Sequence, residues 1–497
     1  MSLESVSAFD PLLMDPTPPR SGRRRSAGAF GRGLGRRLLA FVGRHEGHAF
    51  VAKLCSARGV SGVVEGLRGV LGDGFGTLVS GEDRVAKPEA FLLWIHLPGD
   101  LARAARVDEP SPVLARLVRE GRTSIVPVHV ERIAKRRLRA TLGAPIPGSR
   151  LSKISTAREL FRFLGQRCAA LEHRSRTRAA PAGALVGAAP VADAISTDLV
   201  EREIRALPRD QQLVESGRFV VVQAHEHQIP ACVREVGRLR EITFRAAGEG
   251  TGRSLDLDAC DRSYRHLLLF DREASVIAGA YRFAPTDEIV PVFGVEGLYT
   301  STLFRIDPRL FEALGPSLEL GRSFVRLEYQ RGYAPLLLLW RGLSAFVAAN
   351  PRYRILFGAV SVSATYAAFS RELLATVLGR PPALHPLASF VEPRNPLRPR
   401  RGVRSALDRF GASIEDASDL AAIVSDVEAD AKGLPVLLRE YLKLGGRLLG
   451  WSVDRTFASA LDGLIAVDLP HADPRLLGLY MGREAAEAYC HHHGVAG

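Results

Sequence analysis

The chain has 497 residues, 46% of them hydrophobic and 24% charged, with a net charge of +13 and a pI near 9.9. This describes two or three folded domains and excludes a disordered or fibrous protein, while the charge points to an acidic partner: nucleic acid, an anionic membrane or an acidic protein. The five cysteines, Cys55, Cys168, Cys232, Cys260 and Cys490, are scattered without a Cys-x-x-Cys pair, which excludes a disulfide or zinc framework and suggests a reducing compartment.

In chain order, residues 1–40 form a basic tail in which Arg20, Arg23, Arg24, Arg25, Arg32, Arg36 and Arg37 have no acid between them. Its composition is that of a solvated disordered arm, with a polybasic contact to anionic lipid as the functional alternative. Few aromatic residues accompany it, which disfavours a nucleic-acid arm. Residues 41–176 alternate strands and helices: strand-like pieces at 60–67 and 76–79, strands at 91–96 and 124–130, helices at 112–120 and 156–171. Residues 177–200 are an Ala/Pro/Gly linker.

Residues 201–497 make the second domain. A strand at 218–224 leads to a helix at 230–247 that presents Val233, Val236 and Leu239 on one side and Glu235 and Glu241 on the other. A hairpin of 266–270 with 275–283 follows, then a strand at 298–304 and a short helix from Pro308. Residues 318–325 read as a strand carrying the charges Glu319 and Arg322. A Gly-containing turn then opens a helix at 336–349, with Pro335 in a favoured first-turn position. A strand at 354–361 and a helix at 365–378 come next. Residues 381–431, proline- and arginine-rich over 381–404 and acidic over 415–430, read as an insertion, either a surface excursion or a dock for an acidic carrier or lipid. A helix at 434–444, a strand at 463–469 and a tail helix at 473–489 complete the chain. No apolar run approaches the roughly 18 residues of a membrane span, and no secretory signal is evident. The expectation is a cytoplasmic protein able to lie peripherally on the inner membrane.

Val63-Val64-Glu65-Gly66-Leu67, Leu97-Pro98-Gly99 and Ile125-Val126-Pro127-Val128 resemble the glycerolipid (lysophospholipid) acyltransferase domain. That family's His-x4-Asp is absent: its place is taken by Ser80-Gly81-Glu82-Asp83-Arg84, and His96 is one residue too close to Asp100. The first half is therefore expected to be a degenerate copy, a scaffold or membrane-docking unit. In the second half, five motifs occur in order: Leu239-Arg240-x3-Phe244, Leu257-Asp258-x-Cys260-Asp261, Gly279-Ala280-Tyr281-Arg282, Leu318-Glu319-Leu320-Gly321-Arg322, and the run from Leu434-Pro435 to Leu444-Gly445. Together they resemble the ornithine N-acyltransferases of membrane-lipid synthesis, relatives of acyl-homoserine-lactone synthases on the N-acetyltransferase (GNAT) fold. Joined to the first half, they resemble the bacterial hemolysin-like acyltransferases. The resemblance implies an α/β chain of two domains, the second a mixed sheet with flanking helices. It implies transfer of a long fatty acyl group from acyl carrier protein, or acyl-CoA, to the α-amine of an amino acid such as ornithine, as in lyso-ornithine-lipid synthesis.

The residue chemistry suits that reaction. Aminolysis of a thioester needs a neutral amine, and Glu319 is the candidate base. Arg322 can hold Glu319 or bind a substrate carboxylate bidentately. Asp258 and Asp261 are candidates to hold the amine, Arg240 and Arg282 to pair with them, and Phe244 to wall the pocket. The rival reading is a structural ion-pair network. Gln330, Arg331, Gly332, Tyr333 and Ala334 form the turn expected to bind the donor at the helix N-terminus, although Tyr329 stands where acetyltransferases have Gln or Arg. Cys260 has no histidine beside it, so attack is expected to be direct, without an acyl-enzyme. No permanently bound cofactor and no metal are expected. His225 with His227, and Cys490 with His491 to His493, lack a convincing third ligand or an ordered setting. Gly248-Glu249-Gly250-Thr251-Gly252 lacks the Lys and strand-to-helix context of a phosphate loop and is set aside. An acidic carrier protein suits the positive charge. The rivals are a non-catalytic lipid- or carrier-binding protein and a lysophospholipid O-acyltransferase. No nucleic-acid-binding module is recognisable.

Overall fold

The computed structural model describes residues 49–53, 90–96, 124–134, 137–143, 146, 148–154, 156–176, 187–330, 332, 334–400, 403–411, 414 and 416–495. The basic tail, the pieces at 60–67, 76–79 and 112–120, the motif at 97–99, residues 80–84, Arg331 and Tyr333 lie outside them. The chain divides into two compact units, one of residues 1–178 with 412–434, the other of residues 179–411 with 435–497.

The first unit holds a four-stranded sheet of β1 (Ala49–Lys53), β2 (Ala90–His96), β3 (Ser124–Ala134) and β4 (Arg137–Leu142), in that order. The first three strands are parallel and β4 returns antiparallel. Helix α1 (Ala157–Arg176) packs on β3 and against a helix at Ala417–Val427. Arg167 and Asp426 form a buried ion pair between these helices, and Arg150 donates to Asp419 at 2.7 Å. Among the described residues no helix is long and apolar enough to cross a membrane.

The second unit is built on ten strands. They are β5 (Gln212–Ser216), β6 (Phe219–His225), β7 (Arg265–Asp271), β8 (Val276–Pro285), β9 (Phe304–Ile306), β10 (Ser317–Val325), β11 (Ile355–Val362), β12 (Val391–Pro393), β13 (Arg447–Asp454) and β14 (Ala460–Asp468). Eight of these form one mixed sheet in the order β13-β14-β11-β10-β8-β7-β6-β5, and β9 pairs with β12 separately. Helix α2 (Pro230–Ala246) covers one face. Its Val233, Val236 and Leu239 pack on Val220, Val222, Leu268 and Phe324. Pro230 opens the helix without an N–H to lose, and Glu203 accepts the next two amides, from Ala231 and Cys232, at 2.9 and 2.8 Å. Helix α3 (Ala334–Ala349) covers the opposite face, where Trp340 meets Tyr281 and Phe346 meets Phe283 edge-on. Helix α4 (Ala368–Leu378) follows β11.

Only β10 and β11 run parallel in this sheet, and they pair over just four positions, from Ser317↔Ile355 to Leu320↔Gly358. Beyond that point β10 continues beside β8 to Val325, and β11 beside β14 to Val362. The two strands therefore part, leaving a wedge in the sheet. A bulge between Gly321 and Phe324 bends β10 at this place, and Arg322 within it adopts φ +50°. A non-glycine residue held there costs of order 1–3 kcal/mol, strain typical of functional sites.

Three expectations change. Residues 298–304, read as a strand, instead hold a 3-10 turn, Tyr299–Thr302, which follows another at Val295–Gly297 and precedes the short β9 starting at Phe304. The tail helix is two helices, Pro474–Met481 and Arg483–His492, broken at Gly482 with φ +86°. Glu235 and Glu241 of α2 are buried, not outward.

Candidate active site

At the wedge, buried charge is organised as a chain of arginines and carboxylates on the α2 face of the sheet. Arg240 of α2 is fully buried and donates to Asp261 at 2.8 Å. Asp261 also meets Arg282 of β8 at 3.0 Å. Arg282 grips Asp258 with two nitrogens, at 2.6 and 3.1 Å. Arg322 lies 3.8 Å from Asp258 and 3.1 Å from Asp256. Asp258 and Asp261 reach this position through a single helical turn, Cys260–Ser263, in which the Asp258 amide donates to Asp261 and the Cys260 amide to Asp258. The two arginines that flank Asp261, with the Asp258 amide, hold its carboxyl well below the usual carboxylate range despite burial, and Asp258 is lowered likewise by Arg282. His266 donates its Nε2 proton to the Asp261 carbonyl at 2.8 Å. Burial and Arg240 push it down to about 4, so it stays neutral.

Glu319 projects from β10 to the same face and is 1% exposed. Its carboxylate accepts the Tyr264 hydroxyl, the Tyr299 amide at 3.1 Å and the Thr300 amide at 2.7 Å. It thus serves the orphan N–H groups that begin a 3-10 turn, as a cap does. That turn holds Tyr299 against the bulge: the Arg322 guanidinium donates to the Tyr299 hydroxyl at 2.9 Å and lies 4.6 Å over its ring. Phe457 closes the other side, 5.0 Å from Arg322, and meets Phe244 edge-on at 5.2 Å. The residues Arg240, Phe244, Asp258, Asp261, Arg282, Glu319 and Arg322, far apart in the chain, are thus linked through these contacts.

The acetyltransferase (GNAT) domain family matches residues 239–340. A glycine N(alpha)-acyltransferase of Bacteroides thetaiotaomicron is 30% identical over 297 residues, covering 57% of this chain and 87% of that protein. The chain belongs to this N-acyltransferase family. A second glycine N(alpha)-acyltransferase, from Phocaeicola vulgatus, is 29% identical over 297 residues, 57% of this chain and 90% of that protein. No solved structure matches the chain significantly. The protein is an N-acyltransferase carrying a GNAT domain, and the activity is acyl transfer to an amine.

In this N-acyltransferase, the turn expected from the sequence to bind the donor leads into α3. Gln330 donates to the Val325 carbonyl at 2.8 Å, tying the turn to the end of β10. Gly332 is exposed and Ala334 is the first residue of the helix. Tyr329 donates to Asp271 at 2.7 Å. Cys260 is pushed up to about 11 by burial and nearby carboxylates, so its thiol stays protonated. His225 and His227 stack at 5.7 Å, and among the described residues no group of His, Cys, Asp and Glu is arranged to hold a metal.

Several residues of the site stand outside the five motifs. Tyr264, Asp256, Tyr299 and Phe457 carry no motif and are recognisable only once the arginine chain is seen. The glycine-rich segment 248–252, which lacks the marks of a phosphate loop, is wound onto α2. Glu241 accepts the Gly252 amide at 2.8 Å and the Thr251 hydroxyl at 2.8 Å. Gly248, Gly250 and Gly252 all have positive φ, and a Cβ at Gly248 would sit 2.3 Å from Thr365. This winding brings Glu249 to Ser361 of β11, whose hydroxyl donates to it at 3.0 Å.

Proposed function

We propose that the chain moves a long-chain fatty acyl group from a thioester donor, acyl carrier protein or acyl-CoA, to the α-amine of an amino acid. Glycine is one acceptor to test, because the relatives are named for it. Ornithine is the other, because the five motifs resemble the enzymes of lyso-ornithine-lipid synthesis. The observation that carries the reading is the parting of β10 and β11 directly beside a buried, charged, family-matched face. An extended pantetheine arm fits such a wedge, with its phosphates at the α3 N-terminus, where helix N–H groups favour anions. Gln330, Gly332 and Ala334, with Arg331 and Tyr333, are assigned to that end.

Within this reading Arg322 orients the acceptor carboxylate, and Phe244, Phe457 and Tyr299 wall the site. Arg240, Asp258, Asp261 and Arg282 act as the frame that holds Arg322. Glu319, with all its near donors engaged, acts by positioning Tyr299. Attack is direct, since the Cys260 thiol is not activated. The first unit is assigned a docking role toward membrane or carrier.

Incubation of the purified protein with palmitoyl carrier protein or palmitoyl-CoA and each amino acid, followed by mass spectrometry, tests this. N-palmitoyl amino acid is the expected product. Absence of product with every amine, or acylation of lysophospholipid instead, overturns it.

A further inference from the structure

One group of acids on the site face lies outside the arginine chain. Glu249, Asp454 and Asp462 converge from the loop after α2, from β13 and from β14. Asp462 stands in register with Ser361 on one side and Ser452 on the other. Ser361 is the residue that donates to Glu249. Asp454 is satisfied by the Thr456 amide and hydroxyl at 2.8 and 2.7 Å and by the Tyr299 hydroxyl at 3.4 Å. Asp462 is different. It is only 5% exposed, yet among the described residues no donor reaches its carboxylate. Glu249, 8% exposed, has one donor, Ser361.

The charges facing these acids do not balance them. Arg322 reaches in from β10 but is ion-paired to Asp256. Arg371 of α4 also faces Asp462 but spends one nitrogen on the Ser459 carbonyl at 2.7 Å. A buried carboxylate without a donor is costly, and a cation is what the surroundings lack.

We propose that Glu249 and Asp462 form a carboxylate pair that docks the ammonium group of the acceptor and takes a proton from it. The inference rests on the N-acyl-transfer reading and names its base. One N–H proton of the bound ammonium passes to the pair, giving the neutral amine. The amine nitrogen forms its bond to the thioester carbonyl carbon, the C–S bond breaks, and the second proton leaves on the thiol. The pair returns its proton to water, so atoms and charge balance. Burial suits the role. It pushes Glu249 up to about 7, eased by Ser361 and Arg322. It pushes Asp462 up to about 8, with Asp454 and Glu249 raising it and Arg322 and Arg371 lowering it. A base poised near the working pH is the effective kind.

The test uses the full chain, Glu249→Gln and Asp462→Asn, and two readouts. The first is the pH profile of acyl transfer to glycine and to ornithine, with thermal unfolding as the check on folding. Each variant is expected to lose roughly 100-fold or more in kcat, and the limb rising through neutral pH is expected to vanish. Asp454→Asn, which removes a like charge while keeping an amide oxygen to accept from Thr456, is expected to move that limb to lower pH. The second readout is calorimetric titration with the same amino acids in buffers of different ionisation enthalpy, where wild type shows linked proton release and the two variants do not. Wild-type transfer that persists in both variants with an unchanged profile overturns the pair and leaves the transfer reading standing. Amino-acid binding with proton release lost in the variants, but no acyl product, upholds the pair and overturns transfer. No binding and no product overturns both.

Discussion

Two buried aspartates of the site face opposite electrostatic fates, and each makes a prediction. Asp261 lies between Arg240 and Arg282 and keeps its charge. Removing one partner of such a buried pair leaves uncompensated charge, typically costing about 3–5 kcal/mol. Arg240→Met is therefore expected to lower unfolding free energy by about 3 kcal/mol in denaturant titration, toward the low end because Arg282 remains. Asp462 has the reverse sign. Its carboxyl is raised from the ordinary value to about 8. The folded state thus holds a proton that the unfolded chain releases at pH ~4. Its contribution to stability is full below that value and is lost as pH rises through about 8. Asp462→Asn abolishes the loss. At pH ~9 the variant should be more stable than wild type by a few kcal/mol, because each tenfold difference in proton affinity between the folded and unfolded chain is worth about 1.4 kcal/mol. At pH ~4 the difference should disappear. A variant that folds better while transferring acyl groups more slowly is the pattern expected when charge is buried for function.

At the scale of elements, the wedge depends on one glycine. A Cβ at Gly358 would lie 2.1 Å from the Leu320 carbonyl oxygen, at the last position where β10 and β11 pair. Gly358→Ala must push the strands apart where the donor arm is expected to enter. The expected result is a loss of about 1–3 kcal/mol in stability and a higher KM for the acyl donor, with KM for the amino acid less affected. Equal effects on both would place the donor elsewhere. Much of this architecture is legible in the sequence. Short apolar runs mark β7, β8 and β11, and Pro335 marks the start of α3, because these signals are local. Residues 298–304 read as a strand because their apolar content suits one. The turn forms instead because Glu319, some 20 positions later, captures the Tyr299 and Thr300 amides. The outward placement of Glu241 fails for a similar reason: its partners are amides of the following glycine loop. Asp462 is hidden because the apolar pattern starts the strand at Gly463, one residue after it, whereas β14 begins at Ala460. Glu249 is obscured by glycines that serve positive φ angles and close contact with Thr365, not phosphate.

The whole molecule carries a net charge of +13, and the site itself does not account for it, since acids and arginines there largely pair with one another. The surplus lies elsewhere, including seven arginines between Arg20 and Arg37 with no acid among them. A field of this kind acts before binding. It raises the encounter rate with an acidic partner and is screened once the Debye length falls to about 8 Å at physiological salt. Among thioester donors, acyl carrier protein has an acidic surface to be steered, and a neutral acyl-pantetheine has none. Raising salt from about 20 to about 300 mM, which carries the Debye length from beyond to below the separation of surface charges, should therefore depress kcat/KM for octanoyl carrier protein about tenfold or more. The same change should leave kcat/KM for octanoyl-pantetheine nearly unchanged. Deleting residues 1–40 should flatten the first dependence if the arginine-rich tail supplies the field. Parallel salt curves for the two donors would remove acyl carrier protein from the proposal, because steering is the physical basis on which the charge favours it.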